Sequence, residues 1–290
     1  MNVAGQRRPA FAANEEYYAY VAHGYDLISG SYDHVEAQNA VGRRIRRHMQ
    51  DVLFHTFRPG HRVLEIGCGT GIEALALAER GVAVVATDLS SDMVAQVRGK
   101  AAERGLANVA TRQLAAHEIE TLAGEFGSNS FDGAYSHGGV LNMEPALPDV
   151  AAALAKLLQP SAHFISTVVN QASLFEVIVY PLAFRPRKAF RRLGNQIPIP
   201  ITRLEAHKRY VVPTRFYSPR AFLSVFHPHF ALRHLKGLEI FLPPWNLSDY
   251  VDRLAPVARA VEALEDRIAD RRPFNAWGSL FLMDLERVVV

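Results

Sequence analysis

The architecture of this chain is predicted by one segment, Val63-Leu64-Glu65-Ile66-Gly67-Cys68-Gly69-Thr70-Gly71. Its apolar first part, which carries one carboxylate at Glu65, predicts a buried strand, and the run Ile72 to Ala78 predicts a helix. A glycine-rich turn between a strand and a helix lets the backbone approach a nucleotide closely, because a Cβ atom would occupy the ligand's space. The segment therefore predicts a nucleotide-binding βα unit.

The glycine spacing and the preceding acid favour a ligand other than a dinucleotide. The dinucleotide pattern is GxGxxG, and Ile72 stands where its third glycine would be. Glu65 would repel a pyrophosphate, but it suits a ligand that carries a positive charge, such as the amine of S-adenosylmethionine (SAM). Asp88 ends a second apolar strand 21 residues after Gly67, at a distance where a carboxylate reaches ribose hydroxyls.

Together with the segment Asp88-Leu89-Ser90-Ser91-Asp92-Met93, these features resemble the class I SAM-dependent methyltransferases and their D-x-S-x-x-M pattern. The resemblance covers roughly residues 15–170 well and the rest loosely. It implies SAM as the cofactor and S-adenosyl-L-homocysteine as the product. It also implies in-line transfer of a methyl group to oxygen, nitrogen or carbon of a small-molecule acceptor, as in quinone or natural-product biosynthesis.

The resemblance also implies roles for individual residues. Glu65 and the glycine loop would contact the methionine and ribose parts of SAM. Asp88 would accept hydrogen bonds from both ribose hydroxyls, and Leu89 and Met93 would pack on the adenine. The tip of the third strand lacks the acid that many relatives have, so Ala116 and His117 are expected to line the adenine, with Glu118 or backbone groups as alternatives. The expected cofactor-binding set is Tyr25, Glu65, Gly67, Cys68, Gly69, Thr70, Gly71, Asp88, Leu89, Met93, Ala116, His117, Ser136 and His137.

One histidine is a candidate catalytic residue. His137 follows the fourth strand, in a segment that in relatives runs under the sulfonium and faces the substrate. It could act as a general base for an acceptor that keeps its proton at neutral pH, or it could only contact SAM or donate a loop hydrogen bond.

Strands and helices alternate from residue 62 to residue 169, which predicts a parallel sheet with helices on both faces. The expected fold class is α/β, a Rossmann-like doubly wound and mostly parallel seven-stranded sheet with N-terminal helices and an inserted lid. A single helix is expected over 35–57, strand six over 231–242 and strand seven over 279–286. The expected divisions are an N-terminal helical cover (1–57), a SAM-binding core (58–170), an irregular lid (171–217) and a C-terminal completion with an inserted helix (218–290).

Composition limits the other possibilities. In 290 residues Cys68 is the single cysteine, which excludes an internal disulfide framework or a Cys-cluster metal site and fits a reducing cytosol. No metal is expected, because no ligand spacing is present. The apolar stretch from Phe164 to Phe184 is interrupted by polar residues, and no signal peptide precedes it, so we expect a cytoplasmic protein without a membrane span.

Two basic clusters, at residues 43–47 and 185–192, fit solvated charge but also an anionic substrate or nucleic acid. An RNA or protein methyltransferase is therefore one alternative, although a nucleic-acid partner is not expected. A SAM-binding protein without transferase activity is another, because the tip of strand three departs from the family pattern. The expected lid offers a cationic and aromatic wall for an anionic or aromatic acceptor, formed by Arg203, His207, Arg209, Tyr210, Arg215 and Tyr217. The oligomeric state stays open.

Overall fold

The structure is a computed structural model that describes residues 14–194, 197–200, 210–248, 251 and 255–288. Its strands are β1 (Arg62–Ile66), β2 (Ala83–Asp88), β3 (Val109–Gln113), β4 (Phe131–Ser136), β5 (Leu158–Val169), β6 (Ile197–Pro200), β7 (Val211–Thr214), β8 (Phe230–Leu238) and β9 (Leu280–Arg287). Its helices are α1 (Asn14–Asp26), α2 (Tyr32–Gln38), α3 (Ala40–Thr56), α4 (Ile72–Ala78), α5 (Ser91–Glu103), α6 (Ala123–Phe126), α7 (Leu147–Leu157), α8 (Leu174–Leu182), α9 (Pro186–Ala189), α10 (Pro219–Phe226) and α11 (Ala255–Ile268).

Seven strands form one sheet in the order β3-β2-β1-β4-β5-β9-β8. The first five are parallel, while β9 is antiparallel to both β5 and β8. The strand order reverses between β1 and β4, and ligands of such sheets bind in the crevice at that point, beyond the carboxyl ends of the strands. The expected mostly parallel, seven-stranded α/β sheet is confirmed.

Alternation along the strands gives the sheet two apolar faces. Val63 of β1 and Val84 of β2 pack in one buried cluster with α3, whereas Leu64 and Val85 pack in the other with α7 and α10. Successive side chains of a strand point to opposite faces, so each strand needs a helix layer on either side. Within the described ranges, no helix combines the length and apolar character required to cross a bilayer.

The single helix expected over 35–57 is wrong, because Asn39 separates α2 from α3. Asn39 has an extended backbone, and its side-chain oxygen accepts a hydrogen bond from the Gly42 amide at 2.7 Å. An asparagine that caps amide groups in this way begins a new helix. The strand expected over 231–242 corresponds to β8 and is shorter than expected. It ends at Leu238, since Glu239 has a left-handed backbone with φ of 55°.

The segment 171–217 is more regular than expected. It contains α8, which the Ser173 side chain caps, the short helix α9 and the antiparallel pair β6–β7. Arg203, His207 and Arg209 of the expected wall lie outside the described residues. The role of the segment as a lid stays a prediction.

Two arginines of the first basic cluster are bound to carboxylates: Arg44 is buried, and Arg46 lines the cavity described below. The buried Arg44 guanidinium lies 3.0 Å from Glu239 and 3.1 Å from Glu265, which ties α3 to α11. Arg46 forms ion pairs with Glu36 and Glu73. The expectation of a basic, solvent-facing side of α3 is therefore wrong at these two positions.

Candidate functional site

A cavity of about 440 Å³ lies where the carboxyl ends of β1, β2, β3 and β4 meet. Helices α1 and α2 border it on one side, and residues of the segments 191–216 and 244–280 border it on another. Its volume is that of a small-molecule site. The cavity thus lies at the crevice that the strand order predicts.

The loop after β1 forms part of the cavity wall through Gly67, Cys68, Gly69 and Thr70. A Cβ atom on Gly69 would meet only the Tyr32 ring, at 3.9 Å, so this part of the backbone is open toward a ligand. Burial raises the pKa of the Cys68 thiol well above its usual value, which leaves the thiol neutral and unsuited to nucleophilic chemistry.

Gly71 does not line the cavity, contrary to expectation. Its backbone is left-handed, with φ of 84°, and a Cβ atom there would lie 2.8 Å from the Val97 side chain. The glycine at this position therefore allows α4 to begin against α5, and its role is packing.

Five acidic residues border the cavity, and two of them, Glu65 and Asp88, follow directly from the sequence motif. Glu65 is buried, and its Oε2 atom has no hydrogen-bond partner among the described residues. Burial, with a smaller contribution from nearby Glu73, raises the pKa of Glu65 well above its usual value. A ligand ammonium group would supply the missing opposite charge. The residues present therefore fit the amine of SAM.

Asp88 joins the end of β2 to the glycine loop. Its Oδ2 accepts a hydrogen bond from the Gly69 amide at 2.8 Å, and its Oδ1 accepts one from the Ser90 amide at 2.9 Å. Burial raises the pKa of Asp88 to about 6. A carboxylate fixed in this way keeps further lone pairs for ligand hydroxyls.

Two residues after β3, Ala116 and His117, were expected to line the cofactor site, and only Ala116 lines the cavity. Ala116 lines the cavity together with Leu114 and Ala115, as do Leu89 and Met93. His117 lies outside the cavity lining, because its ring stacks on Tyr18 with the ring centroids 4.5 Å apart. The Glu118 carboxylate accepts a hydrogen bond from the Ala115 amide at 2.8 Å and so stabilises the turn.

The two expected residues at the end of β4 have different roles, and only His137 lines the cavity. The Ser136 hydroxyl is buried and donates to the carbonyl of Ile66 at 2.9 Å, which ties β4 to β1 away from the cavity. His137 lines the cavity, and its Nδ1 lies 3.1 Å from the Thr167 hydroxyl. Burial lowers the pKa of His137 to about 4, so the ring is neutral at neutral pH.

Tyrosines of α1 and α2 cover the cavity. Tyr25 lines it as expected, together with Tyr17, Tyr18 and Tyr32. The Tyr17 hydroxyl donates to the carbonyl of Met143, and the Tyr18 hydroxyl donates to Glu144 at 2.5 Å. These bonds fasten α1 across the site.

A carboxylate at the end of α1 provides a further attachment. Asp26 accepts hydrogen bonds from the Ser90 hydroxyl at 2.5 Å and from the Asp92 amide at 3.2 Å. Both donors belong to the beginning of α5, which follows Asp88 directly. Helix α1 and the part of the cavity at Asp88 are thus connected through Ser90.

Sequence reasoning missed the wall opposite the glycine loop. Tyr210, Arg215 and Tyr217 are not among the lining residues; the Arg215 guanidinium lies over the Tyr217 ring instead. The residues that do line this wall are mainly apolar and aromatic, with two arginines: Val169, Arg191, Arg192, Ile199, Val212, Phe216, Pro244, Trp245 and Leu280. They come from five separate parts of the chain, so no local pattern indicates them.

Comparisons with known proteins agree on the fold. Residues 63–161 match the family described as a methyltransferase domain. The chain is 28% identical over 180 residues to a demethylmenaquinone methyltransferase of Symbiobacterium thermophilum, a match of 59% of this chain and 69% of that protein. It is 33% identical over 162 residues to a nocamycin O-methyltransferase of Saccharothrix syringae, a match of 54% of each chain. The chain thus spans about half to two thirds of the length of these relatives.

Solved structures with lower identity share the fold over nearly the whole chain. The [4+2]-cyclase SpnF superposes with a TM-score of 0.63 at 16% identity, over 93% of this chain and 96% of that one. A second structure is a Burkholderia thailandensis 1,6-didemethyltoxoflavin-N1-methyltransferase with 1,6-didemethyltoxoflavin and S-adenosylhomocysteine bound. It superposes with a TM-score of 0.59 at 17% identity, over 100% of this chain and 99% of that one. At these identities the likeness concerns the fold.

Proposed function

We propose that this chain, whose residues 63–161 match the methyltransferase-domain family, transfers the methyl group of SAM to a small-molecule acceptor. The observation that carries the proposal is one continuous cavity with two unlike walls. The glycine loop, Glu65 and Asp88 form one wall, and apolar and aromatic side chains with two arginines form the other. The two walls would hold two different ligands side by side.

The first wall would hold the cofactor. SAM, when bound, supplies a methyl group that its positively charged sulfur already activates. Glu65 would bind the amino group, Asp88 the ribose hydroxyls, and Leu89, Met93 and Ala116 would contact the adenine. With the donor activated, the protein chiefly aligns the acceptor and excludes water.

The second wall would hold the acceptor, and its chemistry favours an aromatic or anionic molecule. Arg192 is buried, lies 5.2 Å from the Phe216 ring centroid, and binds Glu176 at 2.9 Å. Arg191 binds the same carboxylate, so this wall carries two guanidinium groups for one buried acid and keeps a net positive charge. Phe216 and Trp245 line the same cavity, and their rings would contact an aromatic acceptor.

His137 is the residue that we propose as general base where the acceptor keeps its proton. Its neutral ring can accept a proton, and Thr167 at Nδ1 holds it at the cavity wall. An acceptor that is already ionised would need no base.

The internal placement of Arg44 and Arg46 argues against the RNA-methyltransferase alternative, because both guanidinium groups are bound to carboxylates. We also propose a cytoplasmic location, which the free, buried thiol of Cys68 supports.

The test is a mass-shift screen of methyl-labelled SAM against small-molecule extracts, with the wild-type chain and the Asp88→Ala variant compared. Label in a compound made by the wild type and not by the variant supports the proposal. Binding of SAM without transfer to any compound would favour the alternative of a SAM-binding protein with another activity.

A further inference from the structure

Large apolar side chains are exposed along one continuous stretch of the chain, which we call the 177–193 surface. It comprises α8 after its first turn, α9 and the residues that follow. The exposed apolar members are Val177 at 42%, Ile178 at 45%, Leu182 at 75%, Phe184 at 94%, Phe190 at 58% and Leu193 at 62%. Exposed apolar residues scattered singly are ordinary, whereas this stretch exposes six large ones within 17 successive residues, a density typical of an interaction site.

Phe184 has an unusual backbone for an aromatic residue. Its φ is 56°, in the left-handed region, at the position after α8 that glycine normally occupies. The Phe184 amide donates to the carbonyl of Pro181 at 3.0 Å, and the Arg185 amide donates to that of Tyr180 at 2.8 Å, which is the pattern of a glycine-terminated helix. The chain thus places an almost fully exposed aromatic ring at a position whose left-handed backbone favours glycine.

The charge of this surface has one sign. Between Val177 and Leu204 the sequence contains no aspartate or glutamate, while Arg185, Arg187 and Lys188 lie between the exposed apolar residues. Glu176, just before the stretch, is buried and bound to Arg191 and Arg192. A partner must therefore accept both apolar side chains and positive charge.

We propose that the 177–193 surface docks the protein on an anionic lipid bilayer. Apolar rings and aliphatic side chains enter the boundary between headgroups and acyl chains, while arginine and lysine bind anionic headgroups. The same stretch ends in Arg191 and Arg192, which line the cavity, so docking brings one cavity wall to the lipid surface. The inference rests on exposed side chains and does not depend on methyl transfer.

Vesicle flotation with the full chain tests the proposal. The probes are vesicles of phosphatidylcholine alone and vesicles with about one third phosphatidylglycerol, at low and high salt. We expect binding to the anionic vesicles, weaker binding at high salt, and little binding to the neutral ones. Phe184→Gly should weaken binding roughly tenfold, because one aromatic side chain no longer enters the interface. The pair Arg185→Gln and Arg187→Gln should weaken it roughly 25-fold at low salt.

The glycine variant separates docking from folding. Because Phe184 has a left-handed backbone, Phe184→Gly should leave the thermal midpoint unchanged or raise it while binding falls. Matched controls are Val257→Ser, 60% exposed on α11, and Arg220→Gln on α10, both of which should bind as the wild type does. Absent binding to anionic vesicles, or unchanged binding of Phe184→Gly, would overturn the proposal. So would a wild-type dimer that Phe184→Gly dissociates in sedimentation, since the surface would then join two copies.

Discussion

The Asp88 carboxylate accepts a hydrogen bond from the Gly69 amide at 2.8 Å, so the end of β2 holds the loop that follows β1. The acid therefore has two tasks, to shape the loop and to offer lone pairs to a ligand. Both depend on its ionised form, because a protonated carboxyl accepts less strongly.

Cofactor affinity should depend on pH through Asp88. Its pKa of about 6 means that the carboxylate is ionised above that pH and protonated below it. As the pH falls below this value, the apparent dissociation constant of SAM should rise about tenfold per pH unit, because the competent fraction falls by that factor. Calorimetric titration over a pH series measures this. Asp88→Asn should bind SAM roughly 10- to 100-fold more weakly, with a flatter pH profile. Unchanged affinity in Asp88→Ala would remove Asp88 from the cofactor site.

Binding of SAM should release protons from Glu65 at pH values between the pKa of this carboxyl in the free protein and its lower pKa in the complex. Burial keeps the Glu65 pKa well above its usual value, so the free protein favours the protonated carboxyl. An ammonium group placed beside it favours the ionised form and expels the proton. Calorimetry in buffers of different ionisation enthalpy gives the number of protons released. The Glu65→Gln variant should release no proton from this position and should bind SAM more weakly. Equal proton release by the wild type and the variant would exclude Glu65 as the source.

His137→Ala should lower turnover by about 100-fold or more for an acceptor that must lose a proton, with SAM affinity little changed. Because burial lowers the pKa of His137 to about 4, the rate should show no inflection from this residue between pH 6 and neutrality. His117→Ala is the matched control, since His117 lies outside the cavity lining. An unaltered rate in His137→Ala would show that the ring has no role in proton transfer.

Stability should fall with rising pH through Glu239. Burial raises its pKa from 4.5 to about 8, so the folded state favours the protonated carboxyl. The stability that this group contributes is full below pH 4.5, declines as the pH rises, and is lost above about pH 8. Glu239→Gln cannot ionise, and its thermal midpoint should exceed that of the wild type by at least about 2 °C at the upper end of this range.

The Glu239 experiment has an internal control in the same ion cluster. Asp266 lies 2.8 Å from Arg44 but is 52% exposed, so Asp266→Asn should shift the thermal midpoint little. If the difference in thermal midpoint between Glu239→Gln and the wild type did not vary with pH, Glu239 would not be the group that causes the pH dependence of stability.

The part of the cavity lining that we propose holds the cofactor could be predicted from the sequence, because its signals are local. Glu65, the loop at Gly67–Gly69 and Asp88 each lie at the end of a strand, and parallel strands end at one edge of a sheet. Gly71 belongs to the same motif, but Val97 lies against it, and a spacing pattern cannot distinguish a glycine that faces a ligand from one that faces a helix.

The second wall of the cavity, which we propose holds the acceptor, could not be predicted, because it exists only in the folded chain. Arg192, Phe216 and Trp245 are far apart in sequence and meet through the packing of separate segments. The break at Asn39 was missed for another reason: α2 and α3 follow each other with only Asn39 between them, and the break depends on one side-chain cap. Tyr18 likewise takes the His117 ring away from the cavity, which is a contact that no periodicity indicates.

The position of β9 between β5 and β8 has a consequence during synthesis on the ribosome. Strands β1 to β5 can pair as soon as they emerge, but β8 has no sheet neighbour until residues 280–287 follow it. Until then, one long edge of β5 keeps its backbone groups unpaired and can bind a second nascent chain. Truncations that end before residue 280 should therefore aggregate, even though they retain the entire glycine loop and Asp88.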